Sequence, residues 1–153
     1  MNDTVQPPVV DLTDRATYRT WTTGVIRYSD LDPNGHVNNG AINTFFEDGR
    51  VHFRRANFGP VGEADVLAGY VIVDFHARYL AAVTYPGEVE VATCVLRVGG
   101  ASFTLGQAIF QNGTCAATAE VVTVCTDPAT GKASKIAEDS REILRGLLAP
   151  GLE

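Results

Sequence analysis

The sequence predicts an α+β protein in which a curved antiparallel sheet of about five strands wraps round one long helix. The helix is indicated by a single amphipathic stretch of about five turns that begins near residue 39. The strands are indicated by one run before this stretch and four after it that are rich in β-branched and aromatic residues. Two pairs that separate the later runs, Gly99-Gly100 and Asn112-Gly113, are typical of hairpin turns and make the sheet antiparallel.

The composition predicts one globular domain that covers residues 1–153. Hydrophobic residues make up 45% of the chain and charged residues 20%, which is the usual balance of a protein with a packed core. The net charge is -6 and the 12 basic residues are scattered, so we expect no nucleic-acid partner. No apolar run approaches the ~20 residues of a membrane span, and the N-terminus lacks the pattern of a signal peptide.

The cysteines indicate a reducing, cytoplasmic environment. An odd count without a CxxC pair gives neither a disulfide framework nor a zinc site. Each cysteine lies in an apolar run, where it would act as a small buried hydrophobic residue. These residues are Cys94, Cys115 and Cys125.

The first elements in chain order are a loose arm and a strand. Residues 1–17 are polar and contain two prolines, which favours an arm without regular structure. Residues 21–28 are rich in β-branched and aromatic types and are predicted to form the first strand. Pro33 and Gly35 are expected to end it.

The long helix follows, with Asn38 or Asn39 as its predicted N-cap and residues 57–60 as its end. Gly49 lies on the apolar side, where a missing side chain would let the helix approach a sheet closely. Glu47 and Arg50 are three residues apart and are expected to pair at the surface. The apolar side consists of Ile42, Phe45, Phe46, Gly49, Phe53 and Ala56, and the charged residues outside it are Glu47, Arg50, Arg54 and Arg55.

Four more strands and a short helix complete the chain. The strands are predicted over residues 70–80, 88–98, 102–111 and 114–126, and the helix over residues 138–148. An edge strand or the far face of such a sheet needs cover, so we expect a homodimer or a homotetramer.

The break between the first strand and the long helix is unusually polar. Residues 30–39 read D-L-D-P-N-G-H-V-N-N and hold two carboxylates, one histidine and three asparagines. This is more polar chemistry than a loop leading into a core helix requires.

This segment resembles the hotdog-fold thioesterases, in particular the bacterial branch of 4-hydroxybenzoyl-CoA thioesterases. The resemblance covers about residues 20–126 and rests on D-x-D-x-x-G-H-V-N-N before a helix, followed by VDFHARY and two hairpins. It implies that Asp32 is the catalytic carboxylate. It also implies that the backbone N–H of Asn39, at the start of the helix, polarises the thioester carbonyl.

The segment is also similar to the plant acyl-carrier-protein thioesterases, whose D-x-N-x-H-V-N-N motif uses Asp, Asn and His together. Asp32, Asn34 and His36 stand in those places, so the resemblance implies that Asn34 and His36 assist Asp32. Those enzymes add a carboxylate from a later strand, and Asp74 is the matching position proposed for this chain.

Three further residues are expected to contact the substrate: Gly35, Asn38 and Arg97. Members of the branch that act on aromatic CoA esters carry a basic cluster at the turn before the Ser102-Phe103 step. Here only Arg97 is near that turn, so the carrier stays open between CoA, an acyl carrier protein and another thioester.

Simpler roles compete with these assignments. Asp30 is expected to be structural, and Asp32 could also serve only as a turn residue. The side chains of Asn38 and Asn39 are expected to act as caps, and His36 could order the loop by hydrogen bonding. Glu47 is the rival catalytic carboxylate, because some hotdog enzymes of another branch use a glutamate on the helix.

The expected function is hydrolysis of an acyl-CoA or acyl-carrier-protein thioester to a free acid and a thiol. The reaction needs a carboxylate as nucleophile or base and a donor for the developing oxyanion, and it requires neither a metal nor a redox cofactor. We expect the acyl tunnel to lie between subunits. Two other functions stay open on the same fold: a non-catalytic acyl-thioester binding protein, and a dehydratase or hydratase.

Overall fold

One long helix, α1 (Asn39–Phe58), packs against a five-stranded antiparallel sheet, which confirms the predicted α+β class. The computed structural model describes residues 9–58 and 69–152. No helix within these ranges is both long and apolar enough to cross a membrane. The strands are β1 (Thr20–Val25), β2 (Tyr70–Tyr79), β3 (Glu88–Val98), β4 (Ser102–Gln111) and β5 (Thr114–Cys125), and a short helix, α2 (Glu138–Gly146), follows them.

The sheet has the strand order β1-β3-β4-β5-β2, and every neighbouring pair is antiparallel. β3, β4 and β5 form the predicted meander, and β3 and β4 have the predicted bounds. β1 ends before the predicted strand does, because the chain winds into a 3-10 helix at Tyr28–Asp30. The predicted end of α1 falls partly on Gly59 and Pro60, which lie outside the described residues.

The inner side of the sheet, which faces α1, holds the main hydrophobic core. Ile42, Phe45, Phe46 and Phe53 of α1 are buried there, whereas Ala56 in the last turns is exposed. A Cβ atom built on Gly49 would lie only 2.5 Å from Cγ1 of Val91. The predicted close approach of helix and sheet at Gly49 is therefore confirmed.

The predicted surface position of Arg50 is wrong. Its side chain lies under α1, where Nη1 donates a hydrogen bond to Oε1 of Gln107 over 3.1 Å and the guanidinium lies 5.5 Å from the ring centre of Phe75. Gln107 in turn donates from Nε2 to the carbonyl of Phe46. Because Arg50 points inward, it forms no salt bridge with Glu47 in the described structure, and the predicted surface pair is also wrong.

The outer side of the sheet, which faces away from α1, carries a second cluster of buried residues. Tyr18 donates a hydrogen bond from its hydroxyl to the carbonyl of Leu12 over 2.7 Å, and Arg15 lies 4.4 Å from the ring centre of Trp21. The chain thus has defined contacts from residue 10 onward, within the stretch predicted as a loose arm. The cluster consists of Tyr18, Ala92, Cys94, Ala108, Phe110 and Ala149, with Val10, Leu12, Trp21, Leu96, Cys115 and Leu152 packed against it.

Candidate functional site

The polar break folds into a tight hairpin that ends at the start of α1. The N–H of Asp32 donates to the carbonyl of His36 over 2.8 Å, and the N–H of Gly35 donates to the carbonyl of Asp32 over 3.0 Å. The second bond closes a four-residue turn with Pro33 in the position that its fixed φ favours. Gly35 has a φ of +76°, which glycine adopts without a steric cost. Below, these residues 32–36 are called the Asp32 turn.

The carboxylate of Asp32 is half-buried and holds this turn together with one of its two oxygens. Oδ1 accepts the backbone N–H groups of Asn34, at 2.8 Å, and of His36, at 3.2 Å. Within the part of the chain that the structure describes, Oδ2 has no hydrogen-bond donor. Asp32 is therefore a turn residue that still has an oxygen available for a ligand.

Asn38 is the N-cap of α1, which decides between the two predicted caps. Its Oδ1 accepts the N–H of Ala41 over 2.7 Å, as an N-cap side chain does. Its Nδ2 and its backbone N–H both donate to the carbonyl of Asp30, each over 2.9 Å. The side chain thus fixes the angle at which the chain enters the helix, and its predicted contact with a substrate stays a prediction.

Two backbone N–H groups at the start of α1 are free of acceptors among the described residues. They belong to Asn39 and Gly40, the first two residues of the helix, since Asn38 caps the N–H of the third. Both residues are exposed. N–H groups in this position carry the partial positive charge of the helix N-terminus and can bind an anionic oxygen.

Asp30 has the structural role that was expected of it. It is only 5% exposed, and its carboxylate accepts the backbone N–H and Nη2 of Arg27, at 2.8 and 3.1 Å. Burial acts to raise the pKa of this carboxyl, but the hydrogen bonds and the charge of Arg27 outweigh it and hold the pKa below its ordinary value. Asp30 is therefore engaged within the fold and is not available for chemistry.

The side chains of Asn34 and His36 are exposed on the rim of the turn. Only their backbone N–H groups contact the carboxylate of Asp32, and their side chains make no hydrogen bond within the described residues. They lie on the same short turn as Asp32, so a ligand bound there would be within their reach.

The segment before β3 fixes the position of the turn, and the sequence pattern gave no sign of this. The N–H of Val37 donates to the carbonyl of Val83 over 2.9 Å, and His36 forms an isolated β-bridge with Thr84. Beside this bridge, the exposed rings of Tyr28 and Tyr85 meet edge to face, with centres 5.9 Å apart. These tyrosines are brought together only by the folded chain, so no local motif could have revealed them.

The end of β2 also reaches the start of α1. The hydroxyl of Tyr79 donates to Oδ1 of Asn43, in the first turns of the helix, over 2.8 Å. Both residues are exposed, so the corner between β2 and α1 is open at the surface beside the two free N–H groups.

Arg97 lies far from this site within one chain. It pairs with Thr104 near one end of β4, whereas Gln111 at the other end accepts the N–H of Thr84 beside the turn. Thr104 and Gln111 are seven residues apart, which corresponds to about 24 Å along a strand.

Two other carboxylates also stay away from Asp32. Asp74 lies on the outer side of β2, because its neighbour Phe75 faces α1 and contacts Phe46. Glu47 lies exposed on α1, eight residues beyond Asn39, or about 12 Å along the helix axis. Across residues 9–58 and 69–152, no group of three or more His, Cys, Asp or Glu side chains is arranged to hold a metal ion.

Residues 26–144 match the family model of the thioesterase-like superfamily. The matched range begins just before the Asp32 turn and includes α1 and the strands β2 to β5. A predicted thioesterase from Bacillus stearothermophilus is 30% identical, with a TM-score of 0.77, and the alignment covers 86% of this chain and 98% of that chain. No match was found among the curated proteins.

Two solved structures of lower identity share the fold. A thioesterase from Thermus thermophilus, complexed with coenzyme A and Zn, is 24% identical with a TM-score of 0.76, and the alignment covers 86% of this chain and 95% of that one. A hypothetical protein from Staphylococcus aureus in complex with CoA is 18% identical with a TM-score of 0.76, and the alignment covers 84% of this chain and 82% of that one.

Proposed function

The chain belongs to the thioesterase-like superfamily and is a thioester hydrolase with the hotdog fold, and we propose that it hydrolyses acyl-CoA esters at the Asp32 turn. The choice of this site rests on one observation. The half-buried carboxylate of Asp32 and the free N–H groups of Asn39 and Gly40 lie on one short connection, held rigid by the Asn38 cap. CoA is proposed as the carrier because two structures of the same fold were solved with it.

In the proposed reaction, Asp32 acts as the nucleophile or the general base. The N–H groups of Asn34 and His36 hold Oδ1, so the carboxylate cannot rotate freely, and Oδ2 can attack the thioester carbonyl or take a proton from a water. Addition of Oδ2, or of a water whose proton passes to Oδ2, places an oxyanion on the former carbonyl oxygen, and collapse of the tetrahedral species expels the thiolate. Attack by water gives the free acid directly, whereas attack by Oδ2 leaves an acyl–aspartyl anhydride that a water then hydrolyses to the free acid and the Asp32 carboxylate.

The start of α1 is the proposed site for that oxyanion. The N–H of Asn39 is the predicted donor, and the N–H of Gly40 likewise has no acceptor among the described residues, so the helix can offer two hydrogen bonds. Such donors are fixed before the reaction and need no rearrangement as negative charge develops, which is why they favour the transition state.

The proposal also assigns roles in substrate binding to other residues of the turn and to Arg97. His36 and Asn34 would orient the attacking water or the substrate carbonyl, and Gly35 would let the substrate approach the turn closely. Arg97 can meet a substrate at this turn only through the extended length of CoA or from another subunit. Because the Asp32 turn is open in the single chain, we propose that a homo-oligomer encloses the acyl group.

The test is release of free thiol from a panel of short, medium and long aliphatic acyl-CoAs together with benzoyl- and phenylacetyl-CoA. Asp32→Asn keeps the size of the side chain and is expected to lower kcat at least about 100-fold for any substrate that the protein hydrolyses. Glu47→Gln is the matched control and should retain wild-type activity. Loss of activity in Glu47→Gln with an active Asp32→Asn would move the chemistry to the helix glutamate.

Carrier-protein thioesters form the second arm of this experiment. Release from acyl carrier protein alone would replace CoA as the carrier and leave the role of Asp32 to be tested in the same way. Tight binding of acyl-CoA without release of thiol from either carrier would favour the non-catalytic alternative.

A further inference from the structure

Long side chains connect α1 to β2 at three levels along the helix, and these contacts are called below the α1–β2 seam. Its first level is the open corner beside the free N–H groups of Asn39 and Gly40, where the thioester carbonyl is proposed to bind. All residues of the seam except Arg50 are exposed or partly buried, so a ligand can reach it from solvent. From the start of the helix to its end, the contacts are Asn43 with Tyr79, Arg50 with Phe75, and Arg54 with Tyr70.

The second and third levels of the seam hold two guanidinium groups that have no carboxylate partner in the described structure. Arg50 is 7% exposed, and its hydrogen bond within the described residues goes to the neutral Oε1 of Gln107. Arg54 is partly buried, and its Nε has no acceptor among the described residues. Glu47, one turn before Arg50, is exposed and forms no salt bridge with either arginine.

Burying these positive charges without an anion has a cost in free energy. Burial lowers the pKa of Arg50 and of Arg54, because it withdraws water from the charged groups. Both stay protonated, since an arginine keeps its proton in proteins. The faces of the Phe75 and Tyr70 rings offset part of the cost, and hydrogen bonds to a bound anion would offset more of it. The far part of the seam therefore favours a ligand with negative charge.

A buried hydroxyl without a partner lies at the same level of the fold. Thr123 of β5 lies directly opposite Ile72, which is two residues along β2 from Tyr70. Its side chain is on the inner side of the sheet, because it pairs with Phe103 of the main core. Thr123 is fully buried, and its Oγ1 has no hydrogen-bond partner among the described residues. Unmet hydrogen-bonding capacity thus occurs twice near the end of the seam, in Thr123 and in Arg54.

The distance along the helix corresponds to an acyl chain of medium length. Arg50 and Arg54 are eleven and fifteen residues beyond Asn39, or about 16 and 22 Å along the helix axis. Side chains on a helix lean toward its N-terminus, so both guanidinium groups lie nearer to Asn39 than their Cα atoms do. A chain of about eight to twelve carbons therefore extends from a carbonyl at Asn39 to the two arginines.

We propose that the substrate is the CoA ester of a dicarboxylic acid of about eight to twelve carbons, and that its acyl chain lies along the α1–β2 seam. The thioester carbonyl binds at the start of α1, and the free carboxylate at the other end of the chain binds Arg54, with the charge of Arg50 beside it. The planar fork of an arginine matches a carboxylate in shape as well as in charge. The placement of the carbonyl rests on the proposed function, and the two arginines specify the acyl group.

Two matched substrates test this selectivity: the mono-CoA ester of decanedioic acid, and decanoyl-CoA, which has a methyl group in place of the free carboxylate. Wild type is expected to hydrolyse the dicarboxylic ester with a kcat/KM at least about tenfold higher. Arg54→Met keeps an apolar side chain without the charge and should lower kcat/KM for this ester about 10- to 100-fold, mainly through KM. The value for decanoyl-CoA should change less than about threefold. Because both substrates are measured on the same variant, any loss of folded protein cancels in their ratio.

Arg55→Met is the matched control. Arg55 is exposed, lines a cleft on α1 with Asp48 and His52, and projects about 100° away from Arg54 around the helix. This variant should keep the wild-type preference for the dicarboxylic ester. Arg54→Lys keeps the charge but not the fork, so it should lose less of the preference than Arg54→Met does. Arg50 is left unchanged, because its removal would also leave Gln107 without a partner.

Three results would overturn the proposal while leaving the thioesterase activity intact: a wild-type preference for decanoyl-CoA, an equal loss for both esters in Arg54→Met, or a preference for ω-hydroxydecanoyl-CoA over the dicarboxylic ester. Absence of thiol release from every CoA ester would instead refute the proposed function, and binding to wild type would then decide the role of Arg54. In isothermal titration calorimetry, a Kd for the dicarboxylic ester about tenfold below that for decanoyl-CoA, with the difference lost in Arg54→Met, would support the carboxylate site. Equal Kd values for the two esters would refute it.

Discussion

Asp30 and Asp32 are two residues apart in the chain, but their carboxylates differ in burial and in hydrogen bonding. Asp30 is buried and accepts hydrogen bonds from Arg27, and Asp32 is half-buried with one oxygen free of donors in the described structure. Spacing alone cannot distinguish them, since either residue suits a turn before a helix. The resemblance favoured Asp32, and the surroundings of Asp30 independently remove it from consideration.

We expect Asp30→Asn to lower stability while leaving the reacting groups in place. The pKa of Asp30 is held below its ordinary value, so its contribution to stability is present above about pH 4 and is lost as the pH falls through the folded-state pKa. Because the side chain of Arg27 is largely exposed, we expect a loss of only about 1–2 kcal/mol in the free energy of unfolding at pH 7.

Urea unfolding of wild type and Asp30→Asn at pH 7 and at pH 3 measures this effect. The difference between the two proteins should shrink at the lower pH, because below the ordinary pKa of an aspartate the unfolded wild-type chain takes up a proton that the folded chain resists. An equal difference at both pH values would show that packing, and not the charge of Asp30, is responsible.

At the scale of the elements, the close approach of α1 to the sheet depends on one missing side chain. We expect Gly49→Ala to destabilise the protein by about 1–3 kcal/mol, although alanine favours helices by ~1 kcal/mol. The new methyl group would meet Val91 at 2.5 Å and Gln107 at 3.0 Å, so the helix or both neighbours must shift.

Gly146→Ala in the last residue of α2 is the matched control. No atom lies within 4 Å of a Cβ built at Gly146, so this variant should differ from wild type by no more than about 0.5 kcal/mol. Thermal unfolding of both variants and of wild type measures these differences in stability. A Gly49→Ala protein as stable as wild type would mean that the helix can move away from the sheet at little cost.

The elements were predictable where their signals are local. β3 and β4 have the expected bounds because Gly99-Gly100 and Asn112-Gly113 mark the turns at their ends. The inward turn of Arg50 was not predictable, since its partner Gln107 is 57 residues away in the sequence. A charged residue off the apolar side of a helix is ordinarily exposed, and only the buried amide explains the exception.

The same distinction holds for the candidate site. Asp32, Gly35, Asn38 and Asn39 belong to one contiguous stretch, so the sequence itself brings them together. Whether Arg97 shares the site depends on the direction of β4 and on subunit assembly. A local sequence pattern predicts neither property, and the structure shows that Arg97 and the Asp32 turn are far apart within one chain.

At the scale of the whole molecule, the outer cluster makes the fold sensitive to alkali. Burial raises the pKa of the Cys94 thiol to about 12 and also raises the pKa of the Tyr18 hydroxyl. A raised folded-state pKa gives stability that is complete below the unfolded-state value and is lost as the pH rises above it. We therefore expect the free energy of unfolding to fall from about pH 9 upward.

The Cys94→Ala variant tests how much of the loss of stability at alkaline pH comes from the Cys94 thiol. The variant loses some packing at every pH, but its stability should fall less steeply between pH 8 and pH 10 than that of wild type. Cys125→Ala, which changes a half-buried thiol, is the control and should follow the wild-type slope more closely. Parallel slopes for wild type and Cys94→Ala would show that this thiol does not control the alkaline limit.

The outer cluster also changes the reason for expecting an oligomer. Residues near the beginning and near the end of the described chain, including Leu12 and Leu152, cover much of the outer side of β3 and β4, so a second subunit is not needed there. The edge strand β2 stays uncovered in the described structure and exposes Val71, Ile72 and Val73. The need for cover that the sequence suggests thus falls on the edge strands, and β2 is the longer of the two.

The position of Trp21 has a practical consequence for fluorescence. It is the only tryptophan in the sequence, and it packs on the outer side of the sheet against Phe110 and beneath Arg15. The Asp32 turn lies at the start of α1, on the inner side. Emission from the tryptophan should therefore change when the sheet unfolds and stay constant when an acyl-CoA binds. Tryptophan fluorescence can therefore verify that each variant of the Asp32 turn is folded, in the same cuvette in which its activity is measured.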